Sequence, residues 1–198
     1  MKPTDFAKYL TNFLAVYLPT QKNVSKNTIH SYRDTFKLLL HYCQDVKGLP
    51  VERLTLNGLS SQWITDFLEW LETDRKCSIS TRNQRLAAIH SFFRYVQAEE
   101  PAGLFHFQKI TSIPIKKAKK TVVAYLTPEA IKLLLEQPDR HTSKGRRDLT
   151  LISVLYDSGA RAQELIDLRV CDVTLHPPAV ITLTGKGKKT RRVPIMKN

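Results

Sequence analysis

Between residues 6 and 96, apolar side chains recur every third or fourth position in four successive runs, and this spacing constrains the chain more than any other feature. The first run is Phe6, Tyr9, Leu10, Phe13, Leu14 and Tyr17. Residues three and four apart share one face of an α-helix, so the run predicts a helix that docks on a core and ends before Pro19. A second helix is expected to open with Ser25 or Asn27 as its cap and reach about Val46. It would bury Ile29, Tyr32, Phe36, Leu39, Leu40 and Cys43 before Gly48 and Pro50 stop it. A third, about Ser61 to Asp74, carries Ile64, Phe67, Leu68 and Leu71 on one stripe; a fourth, with Ser80 as cap, carries Leu86, Ile89, Phe92, Phe93 and Val96 up to Pro101. Four amphipathic helices of this length make a small bundle, assigned to residues 1–108.

The pattern then breaks. Residues 109–121, KITSIPIKKAKKT, hold a proline, no helical period and the lysines Lys109, Lys116, Lys117, Lys119 and Lys120, and read as a basic linker. A second domain, 122–198, opens with an apolar stretch (Val122 to Leu126) and a Thr127 cap with Pro128 at the first helical position of a helix over about 128–136. A polar loop with His141, Lys144, Arg146 and Arg147 leads into Asp148 to Ser158. There Leu149, Leu151, Ile152, Val154 and Leu155 surround nearly the whole circumference, which predicts a central buried helix. Gly159 closes it, and a further helix over Arg161 to Leu168 is expected to face Leu165, Ile166 and Leu168 inward. Ala179 to Thr184 and Thr190 to Ile195 read as strands of a hairpin around Gly185–Lys189. The expected class is thus mainly α: a four-helix bundle followed by a partial α+β domain with a small hairpin or sheet.

Thirty-one Lys and Arg against 18 Asp and Glu give a net charge of +13. The excess is uneven: residues 1–108 hold 13 basic and 10 acidic side chains, residues 109–198 hold 18 and 8. Self-repulsion of this size is relieved by a polyanion whose condensed counterions are released, which makes nucleic acid the first partner to consider and an acidic membrane surface its competitor. Apolar runs of the Leu149 to Tyr156 kind fall far short of the roughly 20 residues of a membrane helix, so no span is expected. The first residues, MKPTDFAKYL, lack the pattern of a signal peptide, and Cys43, Cys77 and Cys171 stand far apart. They read as reduced and structural, in a cytoplasmic protein.

Two helix openings carry candidate DNA contacts. Ser25, Lys26, Asn27 and Thr28 open the second helix, and Thr81, Arg82, Asn83, Gln84 and Arg85 follow Ser80 at the start of the fourth. Helix amino-termini present unpaired N–H groups to phosphates, and such side chains reach base edges. The plainer reading is a set of caps beside a solvated face. Lys116, Lys117, Lys119 and Lys120 of the linker are further candidates for contact with a phosphate backbone.

The run Tyr156-Asp-Ser-Gly-Ala-Arg161-Ala-Gln-Glu164-Leu-Ile-Asp-Leu-Arg169, followed by Thr184-Gly-Lys186-Gly-Lys188-Lys-Thr-Arg-Arg-Val-Pro-Ile195, resembles the first half of the catalytic domain of the tyrosine recombinases, the phage integrase family. The segment Ser80 to Val96, with Thr-Arg-Asn-x-Arg-Leu-x-Ala-Ile-x-Ser-Phe-Phe-Arg-Tyr, resembles the last long helix of that family's SAM-like core-binding domain. By this resemblance Arg161 is the first catalytic arginine, gripping the scissile phosphate; Glu164 orients it; and Lys186 is the general acid for the 5′-hydroxyl leaving group. Each role suits its chemistry: a planar guanidinium donates two parallel hydrogen bonds to phosphate oxygens, and an ammonium on a turn delivers a proton. Lys188, in the same turn, competes with Lys186 for that role. Taken singly, Arg161 and Glu164 also fit a structural ion pair, and Lys186 an exposed hairpin lysine.

The resemblance implies site-specific recombination or integration through a 3′-phosphotyrosine on double-stranded DNA. No metal, cofactor or small-molecule substrate is expected, and the full-length parent would assemble with itself on DNA. The family's second box, His-x-x-Arg, and its tyrosine follow the hairpin lysine, whereas all seven tyrosines here precede Lys186. The expectation is a fragment that binds DNA and is inactive alone, cytoplasmic and, in a prokaryote, nucleoid-associated. The alternatives are a non-catalytic DNA-binding regulator, or an RNA-binding or helix-turn-helix regulator built on the bundle.

Overall fold

The computed structural model describes residues 2–119 and 124–195, with Lys186 by its backbone alone. The chain divides into two units, Met1–Lys120 and Thr121–Asn198.

In the first unit, α1 (Asp5–Asn12) is capped by the Thr4 hydroxyl, which accepts from Ala7 N–H, and continues as widened turns over Phe13–Gln21. The helix therefore passes Pro19 rather than ending before it: at its close Lys22 N–H bonds to Tyr17 C=O, five residues back, a spacing in which Pro19 is accommodated. The second helix, α2 (Lys26–His41), is capped by Ser25 and runs on in the same widened form over Tyr42–Val46. Helix α3 (Ser61–Thr73) follows, capped by Ser60, and buries Ile64, Phe67, Leu68 and Leu71. Helix α4 (Ile79–Glu99) starts one residue before the expected cap, because Ser78, not Ser80, accepts from Thr81 N–H at 3.2 Å.

Helix α4 is the centre of this unit. Leu86, Ile89, Phe92, Phe93 and Val96 are each 0% exposed, and Phe92 packs against Phe13, Phe36 and Phe93 with ring centroids 5.4, 5.1 and 5.2 Å away. Offset and edge-on aromatic contacts of this kind add to the transfer free energy of burial. A fifth helix, α5 (Leu104–Thr111), crosses the expected end of the bundle at residue 108 and buries Phe107 and Ile110. Its apolar positions belong to the bundle core, so the helical unit continues into what reads in sequence as linker.

The chain after α5 is also tied down. Asn83 Nδ2 donates to Lys116 C=O (2.7 Å) while Lys116 N–H donates to Asn83 Oδ1 (3.1 Å), so that one side-chain amide pairs with a backbone amide in both directions. Arg82 donates to Pro114 C=O at 3.2 Å, and Lys116 Nζ lies 2.7 Å from Glu72. Residues 113–116 are thus held on α3 and α4.

The second unit holds α6 (Pro128–Glu136), α7 (Ser143–Ser158) and α8 (Ala162–Ile166), then β1 (Val173–Thr174), β2 (Val180–Thr184) and β3 (Thr190–Pro194) in an antiparallel sheet ordered β1-β2-β3. Helix α7 starts at Ser143, capped by Thr142, so Lys144, Arg146 and Arg147 are helical rather than in a loop. Gly145 allows this start: a Cβ there would fall 1.9 Å from Asp139 C=O. Ile181 and Leu183 of β2 are buried, but α7 is not the buried helix that its sequence predicts. Leu151 is 39% and Tyr156 54% exposed, and Ile166 of α8, expected inward, is 74% exposed. The apolar faces exist, but among the described residues they are covered only in part: Leu149, Ile152, Val154 and Leu155 of α7 are half-buried, with α6 and α8 packed against the helix.

Phe92→Ala is expected to cost the first unit about 3–5 kcal/mol, because its void is surrounded by rings that close only in part. Urea unfolding followed by tryptophan fluorescence, with both tryptophans (Trp63 and Trp70) on α3, measures it; a loss below about 1 kcal/mol would show that α4 is not the core helix.

Candidate phosphate-binding site

The site is built where α7 turns into α8. Gly159, at φ +57, ends α7 in the left-handed conformation that glycine adopts without a Cβ clash, and reverses the chain toward Arg161. Arg161 is extended and stands at the cap position of α8, and Glu164 reaches back to accept from Arg161 N–H at 2.9 Å. One helical turn thus brings the acid beneath the arginine.

Glu164 is 4% exposed and all its lone-pair directions are filled. Oε1 accepts from Arg161 Nη1 (2.8 Å) and Arg191 Nη1 (3.1 Å); Oε2 accepts from Arg161 N–H (2.9 Å) and Arg191 Nη2 (2.8 Å). These donors, the Arg191 guanidinium foremost and the Arg161 backbone N–H next, hold the carboxyl down at about 2. Gly185 closes over the same carboxylate: a Cβ there would lie 2.6 Å from Oε1, so this position between β2 and the turn is restricted to glycine by close approach. Glu164 is paired, yet the side chain of Arg161 stays 72% exposed.

Arg161, Gly185, Lys189, Thr190 and Arg191 line a recess of about 200 Å³, large enough for a phosphate group. The backbone of Lys186 begins the tight turn Lys186–Lys188, directly after Gly185 of that lining. Lys188, exposed in the same turn, takes φ +58, and its N–H bonds to Gly185 C=O at 3.1 Å. The structure therefore brings together Arg161, Glu164 and the turn that carries Lys186 and Lys188.

The other candidates divide into two groups. At the opening of α2, Ser25 and Thr28 satisfy each other as caps (Oγ to Oγ1, 3.0 Å), while Lys26 and Asn27 are exposed. At the opening of α4 most of the chemistry is spent inside. Arg82 is 4% exposed, donates to Pro114 C=O and Asn83 Oδ1, and lies 3.5 Å from Glu72; it is an interior residue and not a surface cation, because burial beside an acid suits it to bind the linker. Thr81 completes the Ser78 cap, Asn83 holds Lys116, and Arg85 donates to Ser31 C=O and Thr35 Oγ1. Lys116 pairs with Glu72, Lys117 and Lys119 are exposed, and Lys120 lies outside the described residues.

Arg191, which pairs with Glu164 from β3, is not marked out by the motif in sequence. A signal was present. Alternation along β3 sets Arg191 and Val193 on the half-buried side, with Arg191 opposite the fully buried Leu183. A cation at an inward strand position requires a counter-charge, and Glu164, three residues after Arg161 on the same short helix, is an acid of that motif placed to supply it.

Comparison with known proteins places the chain in a family. The model of the phage integrase N-terminal SAM-like domain matches residues 10–100, and that of the phage integrase family matches residues 124–198. Two putative integrase/recombinases of Sinorhizobium fredii are each 36% identical to the chain: one over 197 residues, covering 100% of this chain and 59% of its own length, the other over 192 residues, covering 96% and 68%. Tyrosine recombinase XerC of Myxococcus xanthus is 31% identical over 196 residues, covering 97% of this chain and 60% of its own. The fold is that of XerH site-specific recombinase bound to difH substrate (TM-score 0.62, 22% identity, 87% of this chain and 48% of that one). It is also that of the Tn1549 transposon integrase in complex with a circular intermediate DNA (0.63, 13%, 99% and 62%). The chain belongs to the tyrosine recombinase (phage integrase) family, and spans 59% of the length of the first of these relatives.

The pH dependence follows from the depressed Glu164 carboxyl. Its folded value lies below the ordinary 4.5, so the stabilisation is fully present above that value and is lost as pH falls toward about 2. Glu164→Gln is expected to flatten the decline in melting temperature of the second unit between about pH 4.5 and 2. Equal declines in both proteins would show that Glu164 is not the titrating group.

Proposed function

We propose that this chain supplies the DNA-gripping and first catalytic residues of a recombinase that cuts and rejoins double-stranded DNA. The observation that carries the reading is an exposed guanidinium, Arg161, fixed from below by a buried carboxylate and set beside a lysine-bearing turn. In-line attack of a tyrosine hydroxyl on a phosphodiester forms a 3′-phosphotyrosine, builds negative charge on the non-bridging oxygens and releases a 5′-oxygen that needs a proton. Arg161 stabilises that charge in the recess, and Lys186 protonates the leaving oxygen. Glu164 orients Arg161. None of the seven tyrosines stands where the family's nucleophile would, so the reading assigns phosphate binding and leaving-group protonation to these residues and not the covalent step.

Lys26 and Asn27 at the opening of α2, and Lys117, Lys119 and Lys120 of the linker, bind the phosphate backbone in this account. The charge of +13 and the relatives' assignments support DNA over an acidic membrane; no helix among the described residues is long and apolar enough to cross one. The work is done in the cytoplasm, on nucleoid DNA in a prokaryote, by a protein that assembles with itself on its target.

Two measurements test this. Replacing Lys117 and Lys119 with Ala should lower the slope of log affinity for duplex DNA against log salt by about 2, since each phosphate contact contributes about 0.9; an unchanged slope would remove the linker from the interface. For the chemistry, residues 1–198 are joined to the remaining carboxy-terminal portion of the second Sinorhizobium relative and given a nicked duplex that traps the covalent product. Arg161→Ala should abolish the protein–DNA adduct. Lys186→Ala should suppress it with an oxygen leaving group and spare it with a 5′-bridging sulfur, which leaves without a proton; the same pattern in Lys188→Ala instead would transfer the role to Lys188.

A further inference from the structure

Arg161 and Arg191 both face Glu164, but they hold it differently. Arg191 gives two N–H groups, Nη1 to Oε1 at 3.1 Å and Nη2 to Oε2 at 2.8 Å, whereas the side chain of Arg161 gives one, Nη1 to Oε1 at 2.8 Å. Exposure follows the difference: the Arg191 side chain is 39% exposed and that of Arg161 72%. A guanidinium and a carboxylate pair best through two parallel hydrogen bonds, and one carboxylate presents that face to one partner at a time.

We infer that Arg191 is a positioning residue: by occupying the two-pronged face of Glu164 it keeps Arg161 on a single hydrogen bond, with its other donors and its charge free for the recess. This rests on the reading of Arg161 as a phosphate ligand. With Arg191 present, one negative charge lies between two positive ones and the cluster is cationic. Without it, Glu164 and Arg161 form a neutral pair, and the acid draws the arginine into the bidentate grip that Arg191 held. Arg191 also anchors the hairpin: its Nη2 reaches Gly159 C=O at 3.4 Å, tying β3, which begins just after the turn with Lys186, to the corner between α7 and α8.

The test is a titration of the 198-residue chain with inorganic phosphate, following the Arg161 Nε–H signal by NMR. In the unaltered chain phosphate shifts that signal saturably. Arg191→Gln is expected to weaken the apparent affinity by about tenfold or more, roughly the worth of one charge-assisted hydrogen bond. Arg191→Lys, which keeps the charge but not the parallel donors, should fall between.

The decisive variant is Glu164→Gln combined with Arg191→Gln: with no carboxylate left to capture Arg161, affinity should return to within about threefold of the unaltered chain. A purely architectural role for Arg191 predicts no recovery, and that result, or an Arg191→Gln chain that binds phosphate as well as the original, overturns the inference. If Arg191→Gln loses its dispersed amide spectrum, the double variant and Arg191→Lys decide by the same criterion. Arg161→Gln separates the two levels. Loss of the phosphate response in that variant, seen on the neighbouring Gly185 amide, upholds Arg161 as the ligand whatever becomes of Arg191. Its persistence removes the phosphate reading and this inference together.

Discussion

A carboxylate that leaves water must find hydrogen-bond donors or give up its charge, and in this protein one carboxylate, Glu164, takes four. Two come from Arg161 and two from Arg191, which lie on opposite sides of the lysine-bearing turn in sequence. A helix start, a strand and Gly185, where a Cβ would lie 2.6 Å from Glu164 Oε1, converge on this group. Burying an ion is costly, and full satisfaction offsets the cost only when the geometry is fixed. The same fixation leaves Arg161 outward and cationic.

The first unit solves a different problem with similar means. Helix α4 is buried along one side from Arg82 to Val96, with aromatic rings gathered around Phe92, Phe93 and Tyr95, and the polar residues at its start do not all remain on the surface. Arg82 and Asn83 hold Pro114 and Lys116, and Glu72 takes both Arg82 and Lys116 as counter-ions. The chain leaves the bundle in a set direction before the exposed lysines Lys117 and Lys119 begin. The charge available for phosphates is smaller than the residue count implies, since part of it is neutralised inside.

Much of this was legible in the amino-acid order. The apolar stripe of α4, the Thr127 and Pro128 start of α6, the Gly159 stop and the hairpin around Gly185 all follow from local rules that the structure obeys. What was not legible depends on partners distant in sequence. Ser78 and Ser80 are equally good caps in isolation, and only the position of the helix decides between them. Arg82 has the same chemistry whether it meets DNA or Pro114, thirty-two residues on. The apolar circumference of α7 shows what that helix is suited to bury, but periodicity does not tell whether a covering element is at hand, and Leu151 and Tyr156 stay exposed. Arg191 was hidden among neighbouring basic residues, and its inward position emerges once the register of β3 against β2 is known.

The role of Arg161 is decided by where a DNA phosphate comes to rest. A structure of the chain bound to duplex DNA should show one phosphate in the recess at the α7–α8 corner, a non-bridging oxygen about 3 Å from Arg161, with Glu164 still held by both arginines and the Lys186 turn beside the 5′-oxygen. DNA lying against another face of the second unit, with that recess vacant and Arg161 folded onto Glu164, would contradict it.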